Sequence, residues 1–210
     1  MVVVERILCL VLGYAFGLIQ TGYFVGKIKN VDLTRKGSGN SGATNALRTM
    51  GWGAGIATFA GDFLKGVLAV LLVKLLFVRP NPDLVMIFSL YTALGVVLGH
   101  NFPFYLNFRG GKGIAATAGA LLATDWRLMI IPCITFIMIT FLTRYVSVAS
   151  LTLLVIILAE VIMFGQMGEL NGSDAYLVET YIMTAILAAM GFWRHRGNIS
   201  RLLKGRENPI

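Results

Sequence analysis

Long apolar runs joined by short polar connections dominate this chain. Seven apolar segments can be traced, approximately Val3–Val25, Trp52–Val78, Leu84–Gly99, Gly113–Ala123, Leu128–Leu142, Val148–Phe164 and Ala175–Phe192. With their flanks, most are long enough to cross ~30 Å of hydrocarbon as helices rising about 1.5 Å per residue. The fourth, of about eleven residues, reaches only about 16 Å and reads as a short span or a re-entrant stub. The longest polar connection runs from Lys27 to Gly51. No heptad array, fixed-period repeat or soluble segment interrupts the pattern, so a single domain over residues 1–210 is expected.

Composition agrees with the pattern. Apolar residues make up 57% and charged residues 13%, with a mean hydropathy of +0.77. A soluble chain carries roughly 25% charge. The fold class expected is therefore an all-α polytopic membrane protein. The net charge of +8 is read through its placement, and it does not imply a nucleic-acid partner. One basic cluster is Lys27, Lys29, Arg35, Lys36 and Arg48. The other is Arg194, Arg196, Arg201, Lys204 and Arg206. If all seven segments cross, both clusters share a face with Arg109, Lys112 and Arg144. The opposite face keeps Arg6, Arg79, Arg127 and the acidic loop with Glu169 and Asp174. If the fourth segment did not cross, the C-terminal cluster would change sides. Excess positive charge marks the cytoplasmic side, which predicts seven transmembrane helices, N-terminus outside and C-terminus cytoplasmic. The short span would then sit within protein or in a thinned bilayer. Arg6 is followed by an apolar run continuing to Val25 with no small-residue cleavage site, so this run is read as the first span. Cys9 and Cys133 lie inside apolar runs and are expected to be buried free thiols.

The cytoplasmic connections carry the candidate chemistry. Phe108-Arg109-Gly110-Gly111-Lys112-Gly113 combines uncovered backbone N–H groups, two cations and the predicted start of a helix, parts that suit a dense anion. It lacks the spacing of a Walker loop. The other reading is a basic turn that only orients the protein. Gly37-Ser38-Gly39-Asn40-Ser41-Gly42-Ala43-Thr44-Asn45 supplies many donors in little volume. Ala46-Leu47-Arg48 follows as a short helix whose guanidinium fork fits phosphate oxygens. Composition alone would equally suit a disordered loop. His100 ends the third span as a cap or a functional group. Ser150, near the start of the sixth, could cap its helix or meet an acceptor substrate. Asp62 and Lys65, three apart within the second span, read first as a structural pair and second as a proton or ion path. His195 and Asn198 face one way in a helical turn of what could otherwise be a basic surface tail.

In order along the chain, GSGNSGATNALR, HNFPFYLNFRGGKG, YVSVAS and RHRGNISRLLKGRE resemble the signatures of the bacterial acyl-phosphate:glycerol-3-phosphate acyltransferase family. The resemblance covers about Ser38 to Glu207. It implies an integral membrane enzyme of phospholipid synthesis in the bacterial inner membrane, with its active site on the cytoplasmic side. Such an enzyme moves a fatty acyl group from acyl phosphate to the 1-hydroxyl of glycerol 3-phosphate. The products are lysophosphatidic acid and phosphate. Carried over by motif, Ser38, Arg48, Lys112, His195 and Asn198 are the expected catalytic set. Gly39, Asn40, Thr44, Asn45, Gly110, Gly111, Gly113 and Ser150 are expected to bind substrate phosphate or the acceptor. Asp62, Lys65 and Glu207 are expected in structural roles. Under this reading the glycine-lysine turn and Arg48 hold phosphates, with Ser38 and Asn198 as further donors. His195 either orients glycerol 3-phosphate or takes its proton; without a local carboxylate partner, the substrate's own phosphate is the alternative acceptor.

The partners expected are acyl phosphate, glycerol 3-phosphate and membrane lipid. No cofactor is expected, and no metal, because the chain lacks a cluster of aspartates. The rival class is an anion or phosphate-ester transporter using the basic loops as a gate, with Asp62 and Lys65 on its path. A thioester-dependent acyltransferase is disfavoured, because position +5 is Tyr105 after His100 and Ser200 after His195.

Overall fold

The computed structural model describes residues 2–210, and among them the regular elements are all helical. In chain order they are α1 (Val2–Gly17), α2 (Thr21–Ile28), α3 (Ala43–Met50), α4 (Trp52–Val73), α5 (Val85–Asn101), α6 (Ile114–Thr124), α7 (Ile130–Thr143), α8 (Val146–Gln166), α9 (Leu177–Arg194) and α10 (Arg196–Leu203). Five helical segments are long and apolar enough to cross a membrane: Val3–Ile28, Pro82–Leu106, Trp126–Thr143, Val146–Gln166 and Asp174–Arg194. The remaining two apolar runs differ in kind. α4 extends through a π-turn at Lys74–Val78 and carries buried Asp62 and Lys65. α6 has only eleven residues.

α6 tolerates its shortness because it is wrapped by protein. It packs between α4 and α5, and Ala116 to Leu121 are all buried. Gly66 of α4 and Gly119 of α6 make this approach possible, since a Cβ on either would strike the partner's backbone carbonyl, at Ala116 or Phe63. α1 and α5 meet the same way, through Gly13 and Gly17 against Gly95 and Gly99, the small-residue spacing that lets membrane helices touch at the backbone.

The first apolar run is a broken helix. α1 stops at Gly17 and α2 restarts at Thr21. The freed carbonyls need donors, because lipid supplies none. Lys65 donates to the carbonyl of Ile19 at 2.6 Å, and the Gln20 amide donates to those of Gly17 and His100 at 3.2 and 3.0 Å. At the other end of the bundle, Arg6 of α1 forms a two-pronged pair with Glu179 of α9, at 2.6 Å for the shorter contact. Cys9 is a buried free thiol as expected, whereas Cys133 is exposed on the outer side of α7. An apolar run predicts burial in protein or in lipid without separating the two, and Cys133 takes the second.

Candidate active site

Several helix ends meet in one open cleft of about 800 Å3, its mouth included. α3, α6 and α8 each begin on its wall, and none of their starts carries a side-chain cap. Helix starts leave backbone N–H groups without intrahelical partners and bear partial positive charge, so the cleft is polarised to receive anions.

The serine-glycine-asparagine loop forms one wall. Ser38, Asn40 and Thr44 line the cleft, while Gly39 lies exposed outside its lining. Asn45 also touches the cleft, but its amide is committed to the loop. Its nitrogen donates to the carbonyls of Leu33, Lys36 and Asn40, and its oxygen accepts from the Ser38 N–H at 3.0 Å. Asn45 therefore shapes the wall, leaving ligand contact to its neighbours. The loop is ordered because this one side chain ties it to α3, which composition could not reveal. Arg48 lines the cleft and reaches across to the tail, donating to the carbonyls of Asn208 and Pro209 at 2.6 and 3.2 Å.

The glycine-lysine turn forms the second wall, with a change from the sequence expectation. Gly110 and Gly111 do not line the cleft, and their N–H groups are not free. They donate to the carbonyls of Asn101 and His100, at 3.2 and 3.1 Å. These glycines are there because the turn folds hard against the end of α5. A Cβ at Gly110 would strike the His100 carbonyl, and one at Gly111 would strike the His100 ring nitrogen Nε2. Arg194 locks the turn from outside, donating to the carbonyls of Gly110 and Gly111 at 2.9 and 2.7 Å while lying over the ring of Phe102. Gly113 does line the cleft. Its φ of +84° turns the chain into α6, whose first N–H groups remain for an anion.

Lys112 joins this turn to the C-terminal tail. Its ammonium donates to Asn198 Oδ1 at 2.5 Å across 86 residues of sequence. The Asn198 amide donates to Glu207 Oε1 at 2.7 Å, and Arg201 holds Glu207 Oε2 at 3.0 Å. Glu207 is buried between these two partners. Burial pushes the Lys112 ammonium down to about 8, with Glu207 opposing the shift. His195, at the α9–α10 junction, places Nδ1 2.8 Å from the Gly191 carbonyl. A carbonyl only accepts, so Nδ1 carries the proton and Nε2 is left as an acceptor. Burial, then the Lys112 charge, lowers its pKa to about 4, so the ring is neutral near pH 7.

Deeper in the cleft, Ser150 donates to the Val146 carbonyl at 2.8 Å, a local bond that leaves its oxygen able to accept. Ser147, which the sequence offers beside Ser150 as a cap or acceptor contact but which the expected site set leaves out, is buried and lines the cleft, and among the described residues its hydroxyl has no partner. Its signal was present in the spacing, three residues before Ser150. Asp62 and Lys65 form the expected pair at 2.8 Å, and His100 joins them with Nδ1 2.7 Å from the ammonium. Asp62 and His100 line the cleft; Lys65 sits behind them. Phe59, Ile114, Phe136 and Val146 give the same cleft an apolar side. Cations and helix starts beside an apolar wall suit an amphiphile with an anionic head. Among the described residues, no set of His, Cys, Asp and Glu is placed to hold a metal ion.

Comparison with known proteins gives a consistent result. Residues 7–205 match the family described as glycerol-3-phosphate acyltransferase. A protein of that name from Clostridioides difficile is 38% identical over 216 residues, covering 100% of this chain and 98% of that one. One from Halalkalibacterium halodurans is 37% identical over 203 residues, covering 96% and 94%. The fold is similar to crystal structures of PlsY (YgiH), an integral membrane glycerol 3-phosphate acyltransferase. Its glycerol 3-phosphate form gives a TM-score of 0.83 at 32% identity, covering 98% of this chain and 95% of that chain. Its lysophosphatidic acid form gives 0.81 at the same identity.

Proposed function

The chain belongs to the glycerol-3-phosphate acyltransferase family, and from that premise we propose that it transfers a fatty acyl group from acyl phosphate to the 1-hydroxyl of glycerol 3-phosphate. The hydroxyl oxygen attacks the acyl carbonyl carbon, the bond from that carbon to the phosphate oxygen breaks, and lysophosphatidic acid and phosphate leave. Such a mixed anhydride already has a good leaving group, so positioning and charge stabilisation are what the protein supplies. Holding two reactants together contributes up to about 7–11 kcal/mol. Donors at the developing oxyanion and departing phosphate add to it.

The observation that carries this reading is the Lys112–Asn198 contact, which closes turn and tail into one cationic cleft beside an apolar wall. The phosphates lie between the starts of α3 and α6, held by Arg48, Lys112 and Ser38 with Thr44 and Asn40 beside them. The acyl chain follows Phe59 and Phe136. Asn198 orients Lys112, and Ser150 faces the acceptor. His195 Nε2 accepts the hydrogen bond of the attacking hydroxyl. A ring this hard to protonate passes the proton on, so the substrate phosphate is its final acceptor.

We place all seven apolar runs across the inner membrane as a single domain, with the N-terminus outside and the cleft at the cytoplasmic leaflet. Support comes from the one-sided basic clusters and from the length of α4, whose 22 residues span ~33 Å. The test is purified protein with acyl phosphate and glycerol 3-phosphate, following phosphate release, with acyl-CoA as the control donor. Phosphate release that depends on both substrates, with no lysophosphatidic acid formed when acyl-CoA is the donor, supports the assignment. Substrate flux into sealed vesicles without chemistry would replace it with a transporter.

A further inference from the structure

The polar side of the cleft is built mostly from donors and cations, yet two carboxylates, Asp62 and Glu207, also line it. Asp62 is only 2% exposed and lines the cleft. Its Oδ1 takes the Lys65 ammonium at 2.8 Å. Among the described residues its Oδ2 has no hydrogen-bond partner, and it is not among the atoms sealed from the cleft without one. The other carboxylate and amide oxygens of the wall are occupied. Glu207 accepts from Asn198 and Arg201, Asn198 Oδ1 from Lys112, and Asn40 Oδ1 from the Gly42 N–H at 2.8 Å. Two side-chain atoms that can only accept therefore remain, His195 Nε2 and Asp62 Oδ2.

A structural pair would not need this arrangement. Lys65 caps the broken first helix and could do so with both Asp62 oxygens turned to it. Instead the ammonium is shared with the Ile19 carbonyl and the His100 ring, at 2.6 and 2.7 Å, and one carboxylate oxygen is left over. An acceptor that opens into the cleft holds water until a donor of the ligand replaces it, and a ligand that displaces the water without donating loses that bond. A fully ionised phosphate cannot donate, and an acyl chain has nothing to donate. A hydroxyl can.

We infer that Asp62 is a specificity residue: its Oδ2 accepts a hydrogen bond from the hydroxyl of glycerol 3-phosphate that is not acylated, while His195 takes the one that is. This rests on the acyl-acceptor reading above and adds to it how the acceptor is told from simpler phosphate esters. The pairing of two acceptors with two hydroxyls fixes which carbon faces the acyl carbonyl. Lys65 neutralises Asp62, so the carboxylate does not repel the substrate phosphate.

The test compares kcat/KM for glycerol 3-phosphate and for 3-hydroxypropyl phosphate, which lacks only the second hydroxyl, with the same acyl phosphate. A hydroxyl bound to a buried carboxylate should give the wild type a preference on the order of 100-fold. The preference is a ratio, so it is independent of how much of a variant preparation is folded. In Asp62→Leu/Lys65→Met, which removes both charges, it should fall to within a few fold of one whatever the absolute rate. In Asp62→Asn, which keeps a weaker neutral acceptor, it should fall at least about 5-fold and not vanish. A wild type that uses both phosphates equally overturns the inference, and so does either variant that keeps the full preference. Wild-type protein that acylates neither phosphate would instead defeat the acyltransferase reading itself.

Discussion

His195 and Lys112 show how burial sets chemistry one side chain at a time. Both lie beside helix ends, and burial shifts each toward its neutral form, far enough at His195 to leave the ring neutral near pH 7 but not at Lys112. The folded pKa of His195, about 4, lies below the ~6.5 of an exposed imidazole. The unfolded chain therefore binds more protons between those values, so stability contributed by the neutral ring is present above about 6.5 and is lost as pH falls toward 4. A titration of the His195 imidazole by 15N NMR in detergent should show a midpoint near 4 and an Nδ1–H tautomer at pH 7; a midpoint near 6.5 would contradict the burial argument. Lys112 has the opposite working range. It is a cation below about 8 and loses that charge above it, so kcat/KM should decline on an alkaline limb near pH 8. Lys112→Ala should lower kcat/KM by ~10^2–10^3, the loss expected when one donor to developing charge is removed. Near-normal turnover by that variant would remove the turn from the chemistry.

Elements explain the glycines. The sequence makes Gly110 and Gly111 look like a bare backbone cradle, but the backbone N–H groups there are already used by the end of α5. What the positions demand is the absence of a Cβ beside His100. Gly111→Ala should therefore abolish most activity by moving Lys112 and the start of α6, with helix content unchanged by circular dichroism. Gly53→Ala, in α4 with open space around it, is the matched control and should leave activity within twofold. The α1–α5 contact makes a separate demand. Gly17→Leu forces a side chain into the backbone of α5 and should destabilise by roughly 1–3 kcal/mol, as overpacking does, measured as a fall in Tm in detergent. The helices themselves were readable from hydropathy to within a few residues. The break at Leu18–Gln20 was not, because the residues that repair it, Lys65 and Gln20, carry no local mark of that task.

At the scale of the whole molecule, the cleft exists only if the start of α3, the turn before α6 and the tail after α9 share a side of the membrane. Single cysteines at Lys36 and Lys204 should react with an impermeant thiol reagent from the cytoplasmic side of vesicles, and one at Asn171 from the other side. The background must lack Cys9 and Cys133. Opposite sidedness of Lys36 and Lys204 would break both the seven-span arrangement and the common cleft. The tail also closes the site, through Arg48 at Asn208 and Pro209 and through Glu207 beneath Asn198. Glu207→Gln keeps shape but weakens the bonds to Asn198 and Arg201. It should lower kcat by about tenfold while leaving the fold intact, checked by kinetics beside a thermal melt.

Read by itself, the chain settled its class, most of its helices and the motifs that carry the family. Those follow from local rules: hydrocarbon demands internally satisfied backbone, so every span must announce itself as an apolar run. Packing decided the rest. It turned Gly110 and Gly111 from ligands into spacers, committed Asn45 to its own loop, brought His100 to the Asp62–Lys65 pair and set Lys112 against Asn198. These contacts join residues far apart in the chain, and their energy depends on which surfaces meet, a property no single stretch of sequence possesses.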